Sequence, residues 1–207
     1  MKRVFYWLLL LVSIALIASS CADDSSSSST DNTTSSSDDS SDNSTSTSDN
    51  SSSSSVTPIV FAGYSHTCAL LDNTSVKCWG RNNTGQLGID NTTDMGDGAG
   101  EMALIPTVNL GTGRTATAIA AGGYHSCALL DNASVKCWGL NNRGQLGIDN
   151  NTNMGNTSGS MDQLTGINLG TGRTATAISA GNEHSCSLLD NASVKCWGYN
   201  GYGQLGI

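Results

Sequence analysis

Positive charge, proline and aromatic side chains are all scarce in this chain. Lysine and arginine together number 9 against 17 aspartate and glutamate residues, which gives a net charge of −8. This balance argues against a nucleic-acid partner, because phosphates are bound by a basic face. Only 2 prolines stand against 24 glycines, and charged residues make up 13% of the chain. Abundant glycine with short apolar runs favours a turn-rich all-β protein over a helical one.

Long hydrophobic runs are also lacking after the first twenty residues, so no later stretch is predicted to span a bilayer. The N-terminus begins with a positive segment, residues 1–3, followed by an apolar segment over 4–18 that is too short for a stable span. This arrangement is typical of an export signal. We therefore predict a signal peptide over residues 1–20.

The signal ends in Ile17-Ala18-Ser19-Ser20-Cys21. This stretch resembles the bacterial lipobox, in which the peptide is cut before the cysteine and the thiol receives a diacylglyceryl group, although Ala18 stands where that motif usually has leucine. The resemblance implies that Cys21 is lipidated and anchors the protein to a membrane of the bacterial cell envelope, at the outer membrane or cell surface. The alternative is an ordinary secretory signal followed by a chance cysteine.

Residues 21–55 combine the cysteine with a low-complexity segment of serine, threonine, aspartate and asparagine. A segment with no apolar residue beyond Ala22 cannot bury enough apolar surface to offset the conformational entropy that ordering would cost. Its composition therefore predicts a disordered linker. Such a tether has an r.m.s. span of about 30 Å and reaches roughly 100 Å when fully stretched. We expect it to hold a folded domain, residues 56–207, away from the membrane.

The folded part contains one motif three times, over residues 63–89, 122–148 and 181–207, at an interval of 59 residues. In the second copy, the β-prone runs 125–130 and 134–138 flank a turn-prone segment and predict a β-hairpin. A further run, 115–121, precedes the hairpin, and residues 105–110 form a fourth candidate strand. Four short antiparallel strands per repeat predict the blade of a β-propeller.

The repeated motif also resembles a known family. The residues Gly-x-x-His-(Ser/Thr)-x-x-Leu, followed by Val-Lys-x-Trp-Gly-x-Asn-x-x-Gly-Gln-Leu-Gly, closely resemble the regulator of chromosome condensation repeat. The resemblance implies a β-propeller that usually has seven blades. It assigns structural roles to His66, Trp79, Gly80, Asn82, Gly85, Gln86, His125, Trp138, Gly139, Asn141, Gly144, Gln145, His184, Trp197, Gly198, Asn200, Gly203 and Gln204.

Two features depart from the family pattern. Family hairpin turns usually carry Asp-Gly, whereas these turns carry Asn73-Thr74 or Asn-Ala, so their geometry can differ. A long polar insert also follows each of the first two Gln-Leu-Gly-Ile segments. The three copies amount to about 2.5 blades, and seven blades would need about 413 residues. We therefore expect a partial propeller from a fragment or truncated reading frame; the alternatives are a ring of several chains and an open stack.

Six of the 7 cysteines form equivalent Cys-x9-Cys pairs. Cys68 and Cys78 flank the first hairpin and would face each other across its strands. In an exported protein this predicts disulfides, and although six cysteines permit 15 connectivities, identical hairpins favour local pairing. The predicted disulfides are Cys68–Cys78, Cys127–Cys137 and Cys186–Cys196; the alternative is that these cysteines are reduced and buried.

Two groups of residues resemble metal-ligand sets, but neither predicts a metal site. His66, Cys68 and Cys78 are ligand types suited to zinc, but their spacing matches no compact zinc module. Residues 90–101 span 12 positions, as an EF-hand loop does, but Gly96 is one place late and the second insert lacks the acids. Whether the 90–101 insert binds calcium stays open at this point. No cofactor is predicted.

No catalytic set is evident, because each serine beside a motif histidine is adjacent to it along a strand and points to the opposite face. We predict a non-enzymatic protein-binding or adhesive scaffold, with an unidentified protein partner bound through the inserts 90–104 and 149–164. By resemblance, relatives act as exchange factors for a nuclear small GTPase, as chromatin binders and as a β-lactamase inhibitor; a GTPase partner is not expected outside the membrane. The alternatives are a hydrolase or lyase with its site in the propeller channel, and a purely structural surface protein.

Overall fold

The strands within residues 57–207 form three separate antiparallel sheets of three strands each. The computed structural model describes residues 57–207, so the predicted signal peptide, Cys21 and the tether lie outside the described residues. Blade 1 contains β1 (Ile59–Ala62), β2 (His66–Leu70) and β3 (Val76–Gly80); blade 2 contains β4 (Ala116–Ala121), β5 (His125–Leu130) and β6 (Val135–Gly139); blade 3 contains β7 (Ala175–Ala180), β8 (His184–Leu189) and β9 (Val194–Gly198). The all-β architecture of propeller blades is confirmed.

Each blade has three full strands rather than the four that were predicted. The segment 105–110 forms only an isolated bridge between Thr107 and Lys77, together with a bond from the Val108 N–H to the Val76 carbonyl at 2.9 Å. Pro106, the second residue of this segment, has no N–H to donate to a ladder, whereas the equivalent segment of blade 2 has Thr165 at that position. The equivalent segment of blade 2 makes a single bond, from the Ile167 N–H to the Val135 carbonyl at 2.8 Å.

Two short helical elements lie in the inserts between the blades. The first is a 3-10 turn over Glu101–Leu104, and the second is α1 over Ser160–Gln163. None of the helices in residues 57–207 has the length and apolar character needed to cross a membrane. The inserts are therefore mainly irregular segments that leave and rejoin the blades.

The hairpin turns adopt the geometry that a glycine would allow. In blade 1 the Thr74 N–H donates to the Leu71 carbonyl at 2.9 Å, and Thr74 has φ of 64°. Ala133 and Ala192 occupy the same left-handed region, with φ of 60° and 64°. An L side chain therefore occupies, at each turn, the left-handed conformation that glycine adopts without strain.

Alternation along the strands sends the two faces of each blade toward different neighbours. In β5, Ala128 and Leu130 pack toward blade 1, while Cys127 and Leu129 belong to the core shared with blade 3. Trp138 of β6 is fully buried against blade 1. The hydrophobic core thus consists of two seams between blades, each built from the same positions of the repeat.

The outer faces of blades 1 and 3 expose residues that the seams bury elsewhere. Val194 is 65% exposed, whereas its equivalent Val135 in blade 2 is 0% exposed. On the other side, Val60 of β1 is 62% exposed. The outer face of blade 1 and the outer face of blade 3 therefore expose apolar side chains.

Candidate functional site

Each blade has two distinct ends. At one end, the segment that follows the third strand lies beside the loop that joins the first two strands; in blade 1 the Arg81 N–H donates to the Ser65 carbonyl at 2.8 Å. Equivalent bonds join Leu140 to Tyr124 at 2.8 Å and Tyr199 to Glu183 at 2.9 Å. We call this end the loop end. It contains the loops 63–65, 122–124 and 181–183 and the segments 81–88, 140–147 and 199–206. The opposite end carries the hairpin turns at 71–75, 130–134 and 189–193 and is called the turn end.

Backbone hydrogen bonds join the loop-end loops of neighbouring blades. The Tyr64 N–H donates to the Gly122 carbonyl at 3.4 Å, and the Gly123 N–H donates to the Asn182 carbonyl at 3.0 Å. Gly123 permits this approach, because a Cβ there would lie 2.6 Å from the Asn182 carbonyl oxygen. The loop end is therefore one connected surface across the three blades.

The asparagine and glutamine of the motif hold the loop-end segments in shape. In blade 2, Asn141 Oδ1 accepts the Leu146 N–H at 3.0 Å, and Gln145 Oε1 accepts the Arg143 N–H at 2.8 Å. Asn82 and Gln86 make the same bonds in blade 1, to Leu87 and Thr84, and Asn200 and Gln204 make them in blade 3, to Leu205 and Tyr202. These side chains position the residue at 84, 143 or 202 by its backbone, whatever its side chain.

The tryptophan of the motif connects each blade to the preceding one. Trp138 Nε1 donates to the Gln86 carbonyl at 3.1 Å, and Trp197 Nε1 donates to the Gln145 carbonyl at 3.0 Å. Gly88 lies under the Trp138 ring, since a Cβ at that position would be 2.7 Å from the indole nitrogen. The Trp-Gly and Gln-Leu-Gly parts of the motif are thus the two sides of one seam.

Histidine and serine do meet in this structure, contrary to the sequence expectation. His66 Nε2 lies 2.8 Å from Ser126 Oγ of the next blade, and His125 Nε2 lies 2.9 Å from Ser185 Oγ. The expectation considered serines on the same strand, and the contact instead crosses the seam. Because Ser126 Oγ donates its proton to the Gln86 carbonyl at 2.9 Å, it must accept one from His66.

This histidine–serine contact is a structural link and not a nucleophile with its base. Ser126 is 1% exposed, and His66 Nδ1 is buried without a hydrogen-bond partner among the described residues, so no third group orients the ring. Burial lowers the pKa of His66 to about 4. Burial, followed by the charges of His66 and His184, also lowers the pKa of His125 to about 4.

The cysteines form the three local disulfides, Cys68–Cys78, Cys127–Cys137 and Cys186–Cys196. The paired residues stand directly opposite each other in the hairpins. The first two disulfides face the next blade, where Cys68 Sγ lies 3.5 Å from Ser126 Oγ. Since these thiols are bonded to each other, the zinc set of His66, Cys68 and Cys78 does not exist here.

The loop end also carries a row of arginine and tyrosine side chains. The Arg81 guanidinium of blade 1 lies 5.6 Å from the centroid of the Tyr124 ring of blade 2, and Tyr64 packs against Tyr124 at 5.7 Å. Arg143 of blade 2 lies over the Tyr199 ring of blade 3 at 5.2 Å, although neither residue is equivalent to its counterpart in the first pair, and Tyr202 meets Tyr199 edge-on. We call Tyr64, Arg81, Tyr124, Arg143, Tyr199 and Tyr202 the Tyr/Arg face.

The Tyr/Arg face is where the three copies of the repeat differ most. Of the 27 motif positions, 19 are identical in all three copies and 8 differ. Three of the differing positions only exchange small residues. The other five lie in the loops and segments of the loop end. One example is Arg81, which corresponds to Leu140 in the second copy and to Tyr199 in the third. The sequence reasoning did not single out this face, although the differences between copies were a visible signal.

The two inserts play different structural roles. Insert 2 folds over blade 1: Met161 of α1 is fully buried in the first seam, and the Asp90 carboxylate accepts from Ser160 Oγ at 2.9 Å and the Met161 N–H at 2.8 Å. The 3-10 turn of insert 1 buries none of its residues, and Met102 and Leu104 are 52% and 74% exposed. Insert 1 (residues 90–104) is therefore available for contacts with other molecules, whereas insert 2 (residues 149–164) partly packs into the first seam and stabilises it.

The acids of insert 1 do not converge on one point. Asp94 Oδ1 accepts the Asn82 N–H at 2.7 Å, and the Asp90 carboxylate is bonded to insert 2. Glu101 accepts backbone N–H groups from Gly98 and Gly96, and these bonds lower the pKa of its carboxyl. Within residues 57–207 no group of three or more acidic, histidine or cysteine side chains could hold a metal ion.

Two family models, both described as the regulator of chromosome condensation (RCC1) repeat, match the chain. One matches residues 59–86, 116–145 and 175–204, and the other matches residues 75–129. Together they cover more than half of the chain.

Curated relatives are much longer than this chain. The human protein described as "Probable E3 ubiquitin-protein ligase HERC4" is 32% identical over 147 residues, which are 71% of this chain and 13% of the relative. The "Ultraviolet-B receptor UVR8" of Arabidopsis thaliana is 27% identical over 150 residues, which are 71% of this chain and 30% of the relative. The chain therefore spans less than a third of either protein.

Solved structures resemble the chain in fold. Prp20p from Saccharomyces cerevisiae superimposes with a TM-score of 0.55 at 24% identity, over 72% of this chain and 33% of that one. Human WBSCR16 gives a TM-score of 0.56 at 18% identity, over 69% and 33% respectively. At these identities the likeness concerns the fold alone.

Proposed function

The chain belongs to the regulator of chromosome condensation repeat family, and from this premise we propose that it is a non-catalytic scaffold whose loop end binds another protein. The observation that carries the proposal is the concentration of non-conservative differences between copies on the Tyr/Arg face. Seam positions repeat because every seam has the same packing. Positions that differ from blade to blade, at an exposed end, fit recognition of an irregular partner surface.

The residue types at the loop end support protein binding. Tyrosine and arginine are enriched at the centres of protein interfaces, where they contribute much of the binding energy. Tyr64 and Tyr202 are 75% and 90% exposed, and Met102 and Leu104 of insert 1 add exposed apolar area. Binding is therefore assigned to the Tyr/Arg face and insert 1, while insert 2 contributes mainly to the seam.

Affinity capture tests this proposal. The protein would be immobilised and exposed to extracts of the cells that produce it, alongside the double variant Tyr64→Ser/Tyr202→Ser, whose side chains belong to the Tyr/Arg face and are 75% and 90% exposed. We expect one partner to be retained by the wild type and reduced at least fivefold by the variant. Thr112→Ala/Thr171→Ala, which changes two exposed side chains beside the turn-end residues Arg114 and Arg173, is the control. A partner that both variants lose equally, or neither loses, would contradict the proposal.

We further propose that the scaffold is displayed on the bacterial cell envelope through lipidated Cys21. The support is the N-terminal sequence: a positive segment, an apolar segment and a lipobox-like stretch before Cys21, followed by the acidic tether. Cys21→Ser should move the protein from the membrane fraction to the soluble fraction. Unchanged membrane association, together with an unmodified Cys21 in the mature protein by mass spectrometry, would refute the anchor.

A further inference from the structure

The arginines at the two ends of the blades are held in different ways. At the turn end, Arg114 pairs with Asp131 at 3.4 Å and Arg173 pairs with Asp190 at 3.3 Å. At the loop end, Arg81 and Arg143 make no salt bridge within residues 57–207 and lie over tyrosine rings. Two of the four arginines in residues 57–207 thus lie against tyrosine rings with no carboxylate paired to them.

A guanidinium group that lies over an aromatic ring is preorganised to bind a carboxylate. The ring occupies one face of the planar group, while the N–H donors lie in its plane and stay available for a bidentate contact. Arg81 and Arg143 are both exposed, so their donors face solvent. Because the rings restrict the arginine rotamers, less entropy is lost when an acid binds.

The carboxylates near this face do not neutralise the arginines. Glu183 lies in the third loop and is bonded through its backbone to Tyr199, but it forms no ion pair with Arg143. Asp94 of insert 1 accepts the Asn82 N–H. The cationic part of the face is therefore open in a protein whose net charge is negative.

We propose that the Tyr/Arg face binds an acidic segment of the partner protein, with carboxylates on Arg81 and Arg143 and the intervening residues on the tyrosine rings. The inference rests on the proposed function, since it names the chemistry of the partner at the same surface. A protein segment fits better than an acidic polysaccharide. A repeating polymer would favour the same residue at equivalent blade positions, and here Arg81 corresponds to Leu140 and Tyr199.

The defined probe is a fluorescein-labelled peptide of twelve residues with six glutamates, compared with the same peptide carrying glutamines. Fluorescence anisotropy with the full chain should show at least tenfold tighter binding of the glutamate peptide, and its affinity should fall as sodium chloride is raised. Arg81→Gln/Arg143→Gln should weaken that binding at least tenfold. Arg114→Gln/Arg173→Gln removes the same charge at the turn end and should stay within twofold.

Three outcomes would overturn the inference: equal affinity for both peptides, equal losses in the two double variants, or equally tight binding of a polyuronate of the same charge. Circular dichroism checks that the exposed substitutions leave the fold unchanged. A partner that is captured through the loop end without preference for the glutamate peptide would leave the proposed function standing and remove only the acidic partner. A partner that is captured independently of the loop end would remove the proposed function itself.

Discussion

At the scale of the residue, the buried histidines show how a seam excludes charge. His66 and His125 are 3% and 0% exposed, and each donates through Nε2 to a serine of the next blade. Burial without a charged partner disfavours the imidazolium, which is why the pKa of each falls to about 4. The neutral ring is the form that the seam requires.

These histidines predict a loss of stability in mild acid. An unfolded imidazole takes up a proton near pH 6.5, whereas the folded one stays neutral until about pH 4. The unfolded state therefore binds more protons in this window, and the free energy of unfolding falls as pH is lowered. The expected loss is about 1.6 kcal/mol per histidine between pH 6.5 and 5.

Urea unfolding at several pH values measures this loss, and NMR titration of the histidine rings assigns it. The window above pH 5 keeps the contribution of carboxylates small. Unfolding free energies that are constant from pH 6.5 to 5, or a His125 pKa above 6, would show that the seam does not exclude charge.

At the scale of the element, the hairpin turn tests whether the left-handed residues cost stability. Ala133→Gly should raise the free energy of unfolding by about 0.5–1 kcal/mol, because glycine adopts φ near 60° without the clash of a Cβ. Ala177→Gly in β7 is the control: that alanine is exposed and has no positive φ, so the same exchange should destabilise by a similar amount. Equal effects of the two changes in thermal or urea unfolding would contradict this account of the turn.

The two inserts offer a matched pair of methionines. Met161 and Met102 occupy equivalent positions of the repeat, but Met161 is fully buried in the first seam and Met102 is 52% exposed. Met161→Ala should lower the free energy of unfolding by about 2–4 kcal/mol, and Met102→Ala by less than about 0.5 kcal/mol. Urea unfolding of the two variants measures the difference. Similar losses would mean that insert 2 does not stabilise the first seam.

The sequence predicted best the structural features that all three copies of the repeat share. The hairpins, the opposition of Cys68 and Cys78 and the all-β blades followed from alternation, turn residues and the interval of 59 residues. The predicted fourth strand was wrong, because residues 105–110 and 164–169 pair with their blades only through isolated backbone bonds. Contacts such as His66 with Ser126 could not be predicted, since they depend on how neighbouring blades pack and not on any local pattern.

The candidate site was only partly predictable for the same reason. The inserts were identified by their length and polarity, but nothing in their sequence showed that Met161 would be buried while Met102 stays exposed. The Tyr/Arg face was visible only as differences between copies, and the stacking of Arg81 on Tyr124 joins residues of two blades. Sequence reasoning finds what a repeat shares more easily than what distinguishes its copies.

At the scale of the whole molecule, the two ends of the blades have different roles. The polar groups of the turn end pair with each other, as in the Arg114–Asp131 ion pair and the hydrogen bond from the Ala116 N–H to the Thr74 carbonyl. The loop end carries uncompensated arginines, exposed tyrosines and the free insert. Recognition is therefore expected at one end of the propeller only.

Site-specific photo-cross-linking measures this asymmetry most directly. A benzoylphenylalanine would replace Tyr202 at the loop end in one protein and Asn191 at the turn end in another, both in the cells that produce the protein. Both positions are exposed, so both cross-linkers can reach a partner. The account predicts a discrete adduct from position 202 that disappears with Arg81→Gln/Arg143→Gln and is absent from position 191. An adduct of equal yield from position 191, or one from position 202 that is insensitive to the arginines, would contradict it.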